Sequence, residues 1–369
     1  MKKIISLLFL VLLISLLFLV LLISLSACSN ENQNSDEEAK ETVGGLDREA
    51  KVLAQNLEIP WSIAKSGDVF YLTERTGSIV KVEDGNQTRM RVELSDPLAE
   101  VAEAGLMGFV LHPEFNDNSL AFAYYTYTEA GDSINRLVQL KLDGDVWKEE
   151  RILLDNIPSG QFHQGGRVEI GPDNKLFVTT GDATQEQISQ DINAIGGKIL
   201  RINLDGTIPS DNPFEGSYVY SYGHRNPQGL AWNEAGELYS TEHGPSGFDE
   251  INHIQEGKNY GWPLITGDEN MAGMQTPVIH SGESTWAPSG ADFKDHTLYF
   301  AALAGQGIYS YSLNTMKLEK VLGGYGRVRD VLIVGDTLYF VTNNTDGRGV
   351  PRENDDKLYQ IDLTNLRKN

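Results

Sequence analysis

The chain is 369 residues long, and 40% of its residues are hydrophobic, which is enough for a packed core and excludes a wholly disordered protein. It carries 52 acidic and 30 basic side chains, a formal net charge of −22, so its surface would repel a phosphate backbone and no nucleic-acid partner is expected. The single cysteine excludes a disulfide framework and a cysteine-based zinc cluster.

The N-terminal segment has the pattern of an export signal. Two lysines precede an apolar run over 4–25, in which the string ISLLFLVLL occurs twice. The run ends in Leu-Ser-Ala before Cys28, which resembles the lipobox of bacterial lipoproteins. We therefore predict a signal peptide over 1–27, lipidation of Cys28, and an extracytoplasmic protein attached to the cell membrane through lipid only. A plain transmembrane anchor is the alternative, because about 20 apolar residues span a bilayer.

The next segment, 28–45, is polar and acidic and contains no aromatic residue. A segment of this composition buries too little apolar surface to offset the entropy lost on ordering, so we predict a disordered tether. The globular domain is then expected over 46–369.

A turn followed by a short apolar strand recurs six times in this domain, as in PDNKLFVTT near 172, KDHTLYFAA near 294 and GDTLYFVTN near 335. The six apolar anchors of these strands are Val69, Leu120, Leu176, Leu238, Leu298 and Leu338. Segments in which side chains alternate with period two, and which are bounded by Gly, Asp and Asn, are typical of strands and hairpins. Six such units predict an all-β fold, a six-bladed β-propeller, with a large β-sandwich or barrel as the alternative. A propeller would bring loops from every unit to one axial mouth.

Several longer strings are too specific to be explained by turn formation. They are FHQGGR at 162–167, GKILR at 197–201, GHRNPQGL at 223–230, EHGP at 242–245, DEIN at 249–252, GKNYGWP at 257–263 and RVRDV at 327–331. Together they resemble the soluble glucose/sorbosone dehydrogenase family, over about 60–361. The resemblance implies a six-bladed propeller that uses pyrroloquinoline quinone (PQQ) and calcium to oxidise aldose sugars at the anomeric carbon to lactones. It also implies an external electron acceptor.

The resemblance assigns roles to five side chains. His163 matches the catalytic histidine, and an imidazole, whose ordinary pKa is near neutrality, suits a general base. Arg225 and Asn226 match residues beside the quinone, where a guanidinium group stabilises negative charge during catalysis. Arg327 and Arg329 match a pair that contacts the carboxylates of the cofactor, and strand alternation would place both on one face.

The resemblance also implies calcium at two places. The main-chain oxygens of Gly244 and Pro245 match ligands of an ion at the cofactor, which would polarise the quinone as a Lewis acid. Glu250 and the main-chain oxygen of Tyr260 match a second, structural site. For Glu250, ordinary hydrogen bonding within a turn is the alternative.

Two positions depart from the family pattern and bear on cofactor affinity. Glu103 matches a cofactor-contacting glutamine, and a carboxylate there would repel an anionic cofactor unless it is protonated or paired with a metal ion. A lysine that lies near the cofactor in some members has no counterpart around Ala304. Two alternatives to a sugar dehydrogenase therefore stay open. One is a calcium-dependent propeller lactonase, against which the retained arginines speak; the other is a non-catalytic propeller that binds carbohydrate or protein.

Overall fold

Strands dominate residues 49–366, which are the residues that the computed structural model describes. The predicted signal peptide and the whole predicted tether, 28–45, which includes Cys28, lie outside them, so the domain boundaries stay predictions. Helices within 49–366 are short: one helical turn at Phe115–Asn118 and 3-10 turns at Glu186–Gln190 and Leu363–Asn365. No helix in this range is long and apolar enough to cross a membrane. The all-β prediction is confirmed.

The first eight strands after β1 form one sheet. They are β2 (Pro60–Ser66), β3 (Val69–Glu74), β4 (Ser78–Glu83), β5 (Asn86–Glu93), β6 (Leu106–Leu111), β7 (Leu120–Glu129), β8 (Asp132–Asp143) and β9 (Val146–Pro158). Their order is β2-β3-β4-β5-β9-β8-β7-β6. All neighbours are antiparallel except β5 and β9, which run parallel. The sheet therefore consists of two four-stranded antiparallel meanders joined at their last strands.

Three further sheets are four-stranded meanders in simple chain order. The first contains β10 (Gly165–Ile170), β11 (Lys175–Thr180), β12 (Lys198–Asn203) and β13 (Val219–Tyr222). The second contains β14 (Pro227–Trp232), β15 (Leu238–Glu242), β16 (Glu250–Ile254) and β17 (Ile279–His280). The third contains β18 (Pro288–Lys294), β19 (Thr297–Ala302), β20 (Gly307–Ser312) and β21 (Lys317–Gly323).

The last sheet joins the two ends of the described chain. It contains β22 (Val328–Val334), β23 (Thr337–Thr342), β24 (Leu358–Asp362) and the first strand, β1 (Lys51–Ala54). The order is β1-β24-β23-β22, so the first strand pairs with the last one. Within residues 49–366, this pairing closes the domain on itself, because the first and last strands share one sheet.

The second strands of the runs, such as β11, are buried on both faces, whereas outer strands such as β5 and β21 are largely exposed. In β11, Leu176 and Val178 pack in one apolar cluster with Trp61, whereas Phe177 packs in a different cluster with Leu230. Successive side chains of a strand point to opposite faces, so β11 contributes to two cores at once. Sheets that pack face to face on both sides explain why the predicted strands are nearly continuous apolar runs. Each of the six apolar anchors lies in the second strand of its four-stranded run.

The first strands of the six runs contact one another in a closed cycle, β2-β6-β10-β14-β18-β22 and back to β2. The loops that lead into these strands carry predicted site residues. Glu103 precedes β6, His163 precedes β10, Asn226 precedes β14 and Arg327 precedes β22. Each of these loops leads into the first strand of its run. Because those first strands contact one another in a cycle, the fold gathers residues that are far apart in sequence.

Candidate active site

His163 is fixed by contacts on both its main chain and its ring. Its backbone is in the left-handed region, with φ of 66°. Its N–H donates to Glu103 Oε2 at 3.0 Å. A Cβ on Gly181 would lie 1.8 Å from the His163 carbonyl oxygen, so the neighbouring loop approaches closely only because residue 181 is glycine. The imidazole is thus held in one place by the surrounding loops.

Asp182 orients the ring of His163. The Nδ1 atom of His163 lies 2.7 Å from Asp182 Oδ1, and because a carboxylate oxygen only accepts, Nδ1 carries the proton. Asp182 is fully buried, and its other oxygen accepts from Trp262 Nε1 at 2.8 Å. The N–H of Thr184 donates to Oδ1 as well, at 2.8 Å. With Nδ1 occupied, Nε2 is the nitrogen that remains for a ligand.

Most predicted site residues line one cavity of about 260 Å³, which we call the histidine cavity. The predicted residues in its wall are Glu103, His163, Arg225, Asn226, Gly244 and Pro245. His243 and Phe162 also line it, and Phe162 is 41% exposed. These residues come from four separate loops, as expected for a site built at one mouth.

Arg225 and Asn226 both line the histidine cavity but make different hydrogen bonds. Arg225 donates from Nη1 to the His243 carbonyl at 3.2 Å, while its buried Nε has no hydrogen-bond partner in the described part of the chain. Burial lowers the pKa of Arg225 from its ordinary value. Asn226 is 1% exposed and accepts from the Gly165 N–H at 3.0 Å. Asn226 therefore braces the loop after His163, and Arg225 presents an unused donor.

Arg329 lies in an adjoining cavity, which we call the arginine cavity; its wall includes Trp61, Arg75, Gln228, Arg329, Asp346 and Arg348. Arg329 donates to Gln228 Oε1 at 2.7 Å, and its buried Nε has no partner within residues 49–366. Burial, with Arg75 and Arg327 nearby, lowers the pKa of Arg329 to about 9, so it is a cation at neutral pH. Glu103 lines both cavities and marks their junction.

Arg327 has a different environment from Arg329. Its Nη2 and Nε donate to Asp346 Oδ2 at 2.7 and 3.2 Å, so its charge is already paired. Strand β22 begins at Val328, after Arg327, and its pairing with β23 is irregular between Val328 and Asp330. The simple alternation that predicts a shared face for both arginines is therefore interrupted by a bulge.

Glu103 has both carboxylate oxygens occupied by groups of this chain. Oε2 accepts from the His163 N–H, and Oε1 accepts from Arg348 Nη1 at 2.8 Å. Burial would raise the pKa of Glu103, but Arg348 and the His163 N–H outweigh it and the pKa lies below its ordinary value. Glu103 is thus an ionised, paired carboxylate.

The predicted metal ligands fall into two neighbouring places. Gly244 and Pro245 lie between the histidine cavity and a smaller pocket that Glu250 and Tyr260 also line. Burial and the nearby Glu242 raise the pKa of Glu250 to about 8. Within residues 49–366, no three His, Cys, Asp or Glu side chains are grouped so that they could hold a metal ion. Main-chain oxygens are therefore needed at either place.

Sequence reasoning missed several residues of these walls. Asp182 lies two residues after the end of strand β11, and an acid just beyond the end of a strand was an available signal. Arg75, Asp346 and Arg348 carried no usable signal, because they contact the site from loops that no motif marks. His243 belongs to the EHGP string but was assigned no role.

Comparison with known sequences gives a consistent result. The profile of the family described as Glucose / Sorbosone dehydrogenase matches residues 57–352. Aldose sugar dehydrogenase YliI of Escherichia coli (strain K12) is 31% identical over 344 residues, which are 80% of this chain and 90% of that protein. Quinoprotein glucose dehydrogenase B of Acinetobacter calcoaceticus is 35% identical over 257 residues. That match covers 60% of this chain and about half, 54%, of the relative's length.

Comparison with solved structures agrees. The PQQ-bound form of aldose sugar dehydrogenase from Streptomyces coelicolor has a TM-score of 0.79 and 34% identity, covering 86% of this chain and 97% of that one. The soluble aldose sugar dehydrogenase from Escherichia coli, in its apo-form, has a TM-score of 0.73 and 29% identity, covering 85% of this chain and 98% of that one.

Proposed function

Because the chain belongs to the glucose/sorbosone dehydrogenase family, we propose that it is a PQQ- and calcium-dependent enzyme that oxidises aldose sugars at the anomeric carbon to lactones. One observation carries the proposal. The His163–Asp182 pair and the unused guanidinium donors of Arg225 and Arg329 converge on two adjoining cavities. Electrons would leave the site through an external acceptor.

The residues of the site fit a polyanionic cofactor. Three buried nitrogen atoms in the cavity walls, Arg225 Nε, Arg329 Nε and His243 Nε2, have no hydrogen-bond partner within residues 49–366. Leaving buried polar groups unpaired costs free energy, so ligand oxygens are suitable partners for them. PQQ has three carboxylates and a quinone, and planar guanidinium groups suit both. We propose that Arg225, Asn226, Arg327 and Arg329 bind it, with Glu103 at its edge.

His163 is the proposed general base. When bound, PQQ would supply an electrophilic quinone as the hydride acceptor for the oxidation. His163 takes the proton of the anomeric hydroxyl on Nε2, because Nδ1 is committed to Asp182. The buried Asp182 carboxylate then stabilises the imidazolium cation. Arg225, desolvated in the cavity wall, stabilises negative charge that develops beside it.

Calcium fits the same wall through main-chain oxygens. A Cβ on Gly244 would lie 2.0 Å from the Gly247 carbonyl oxygen and 2.5 Å from that of Phe248. The loop therefore folds back on itself, with these two carbonyl oxygens close to Gly244. We propose that the oxygens of Gly244 and Pro245 hold the ion that activates the quinone. At the proposed structural site, Glu250 and the Tyr260 oxygen are the ligands. Nearby Asn252 Oδ1 is buried without a partner in the described chain, and an unpaired oxygen of this kind suits a cation ligand.

We also propose that the six four-stranded runs are the blades of a six-bladed propeller. Supporting this are the closed cycle of contacts between their first strands and the pairing of β1 with β24. In this arrangement the eight-stranded sheet is two blades whose outer strands, β5 and β9, add a parallel pair. The histidine and arginine cavities then lie around the central axis.

The cellular location stays a separate proposal. We propose that residues 1–27 are a lipoprotein signal peptide, that Cys28 is lipidated and that 28–45 tethers the enzyme outside the cytoplasm. Metabolic labelling with tritiated palmitate tests this. Label is expected in the wild-type chain and lost in Cys28→Ser, and label in both chains would contradict lipidation at Cys28.

Reconstitution tests the enzymatic proposal. The purified chain is freed of metal with a chelator, titrated with PQQ with and without calcium, and assayed for aldose-driven dye reduction. We expect calcium-dependent dye reduction, its loss in His163→Ala with PQQ binding retained, and no change in the control His296→Ala, whose side chain is 59% exposed. Lactone hydrolysis without PQQ would instead indicate a lactonase. If the chain catalysed neither dye reduction nor lactone hydrolysis, a non-catalytic binding protein would be favoured.

A further inference from the structure

The junction of the two cavities holds an ion pair between Glu103 and Arg348, to which the proposed function assigns no step. We infer that Arg348 determines affinity for the tricarboxylate cofactor by neutralising Glu103 in place. This inference rests on the proposed function, because it concerns how the same site tolerates a carboxylate beside an anionic ligand.

Glu103 is held where it is by Arg75. The Arg75 guanidinium donates to the Ala104 carbonyl at 2.8 Å and to the Ala102 carbonyl at 2.7 Å, on either side of Glu103. The Glu103 side chain is 18% exposed, and its second oxygen accepts from the His163 N–H. Glu103 therefore cannot turn away from the site without giving up these contacts.

Arg348 reaches Glu103 from a loop 245 residues away in sequence. The main-chain N–H of Arg348 donates to Asp346 Oδ1 at 2.9 Å, and Asp346 is itself anchored by its ion pair with Arg327. Its guanidinium carbon lies 5.6 Å from the centre of the Phe162 ring, next to His163. The loop and the ring together aim the Arg348 cation at the Glu103 carboxylate.

The guanidinium groups around the junction suit an anionic ligand. Arg327 is paired with Asp346 and Arg348 with Glu103. Three guanidinium groups in the cavity walls, those of Arg75, Arg225 and Arg329, have no ion-pair partner in the described chain and donate to neutral acceptors. Without Arg348, the Glu103 carboxylate would cancel one of these three charges and repel the ligand. Arg348 thus compensates for the charge of the glutamate and leaves these three cations available to the ligand.

A double-mutant cycle on PQQ affinity tests this inference. Arg348→Gln exposes an uncompensated carboxylate, and we expect the PQQ dissociation constant to rise about 10- to 100-fold. Glu103→Gln keeps an oxygen for the His163 N–H and should bind PQQ at least as tightly as wild type. In the Glu103→Gln background, the 47% exposed Arg348 side chain has lost the carboxylate that holds it at the junction and is screened by water. Arg348→Gln should then change affinity less than about threefold. The control Arg352→Gln removes a cation from the same loop and should leave affinity unchanged.

Affinity is measured by fluorescence quenching of the full chain with PQQ in excess calcium, after thermal unfolding has shown that each variant is folded. An equal effect of Arg348→Gln in both backgrounds would mean that Arg348 does not act through Glu103, and would overturn this inference alone. A wild-type chain that does not bind PQQ would overturn the proposed function and this inference together.

Discussion

Replacing Asp182 with asparagine tests the arrangement around His163 directly. In the structure, the Asp182 carboxylate accepts from His163 Nδ1 at 2.7 Å and from Trp262 Nε1 at 2.8 Å. An asparagine that keeps the tryptophan bond must turn its amide nitrogen toward the imidazole. It would then donate to Nδ1, which places the ring proton on Nε2 and removes the lone pair that the base needs.

The expected fall in kcat follows from the loss of an oriented general base. An oriented general base contributes about 10²- to 10⁴-fold to the rate. Asp182→Asn should therefore lower kcat by roughly 10²- to 10⁴-fold. The PQQ dissociation constant should change less than about threefold, because the Asp182 carboxylate accepts from His163, Thr184 and Trp262 and not from the guanidinium groups proposed to bind the cofactor. Steady-state dye reduction and PQQ titration of the same preparation separate the two quantities.

Trp262→Phe is the matched control for this variant. It removes only the indole N–H from Asp182 and retains an aromatic ring near Arg225. We expect less than about a tenfold loss in kcat, since the carboxylate still orients the imidazole. If Asp182→Asn kept more than about a tenth of wild-type turnover, the assignment of His163 and Asp182 as base and orienting acid would be wrong.

Three further predictions follow from the fold and the cavity walls. Burial raises the pKa of Glu169 to about 8, so this group is neutral in the folded chain and ionised in the unfolded chain at intermediate pH. The free energy of unfolding should therefore fall as pH rises from about 4.5 to 8, and Glu169→Gln should flatten that slope in urea titrations. Trp147→Ala should cost about 3–5 kcal/mol, because this fully buried indole packs against three aromatic rings. Ala304→Lys should lower the PQQ dissociation constant by about tenfold, because the adjacent Leu303 N–H binds the carbonyl of Ala287 in the histidine cavity.

Each of these three predictions has an outcome that would contradict it. A pH slope that is identical in wild type and Glu169→Gln would show that this carboxyl does not titrate differently on folding. A loss below about 1 kcal/mol for Trp147→Ala would mean that the surrounding core collapses into the space. Unchanged affinity in Ala304→Lys would place that turn away from the cofactor.

The fold class was predictable because strand signals are local. Each apolar anchor, such as Leu176 or Leu298, stands between turn residues in a short alternating or continuous apolar run, and each lies in a strand. Period-two patterning and turn chemistry act over fewer than ten residues, so a single sequence contains them. The parallel pairing of β5 with β9 was not predictable, because it depends on how two meanders meet.

The site was only partly predictable for the same reason. His163, Arg225 and Asn226 lie in marked strings, and the structure brings them to one cavity. The partners that decide their chemistry lie elsewhere. Asp182 comes from another loop, and Arg348 meets Glu103 across 245 residues. From sequence alone Glu103 is an unpaired carboxylate that opposes cofactor binding, and only the three-dimensional contact with Arg348 supplies its compensating charge.

A crystal structure of the chain loaded with PQQ and calcium tests the central claim most directly. We predict one PQQ per chain, with its quinone in the histidine cavity near His163 and Arg225 and its carboxylates toward Arg329. Density for PQQ outside both cavities, or a chain that binds none under saturating PQQ and calcium, would contradict the account.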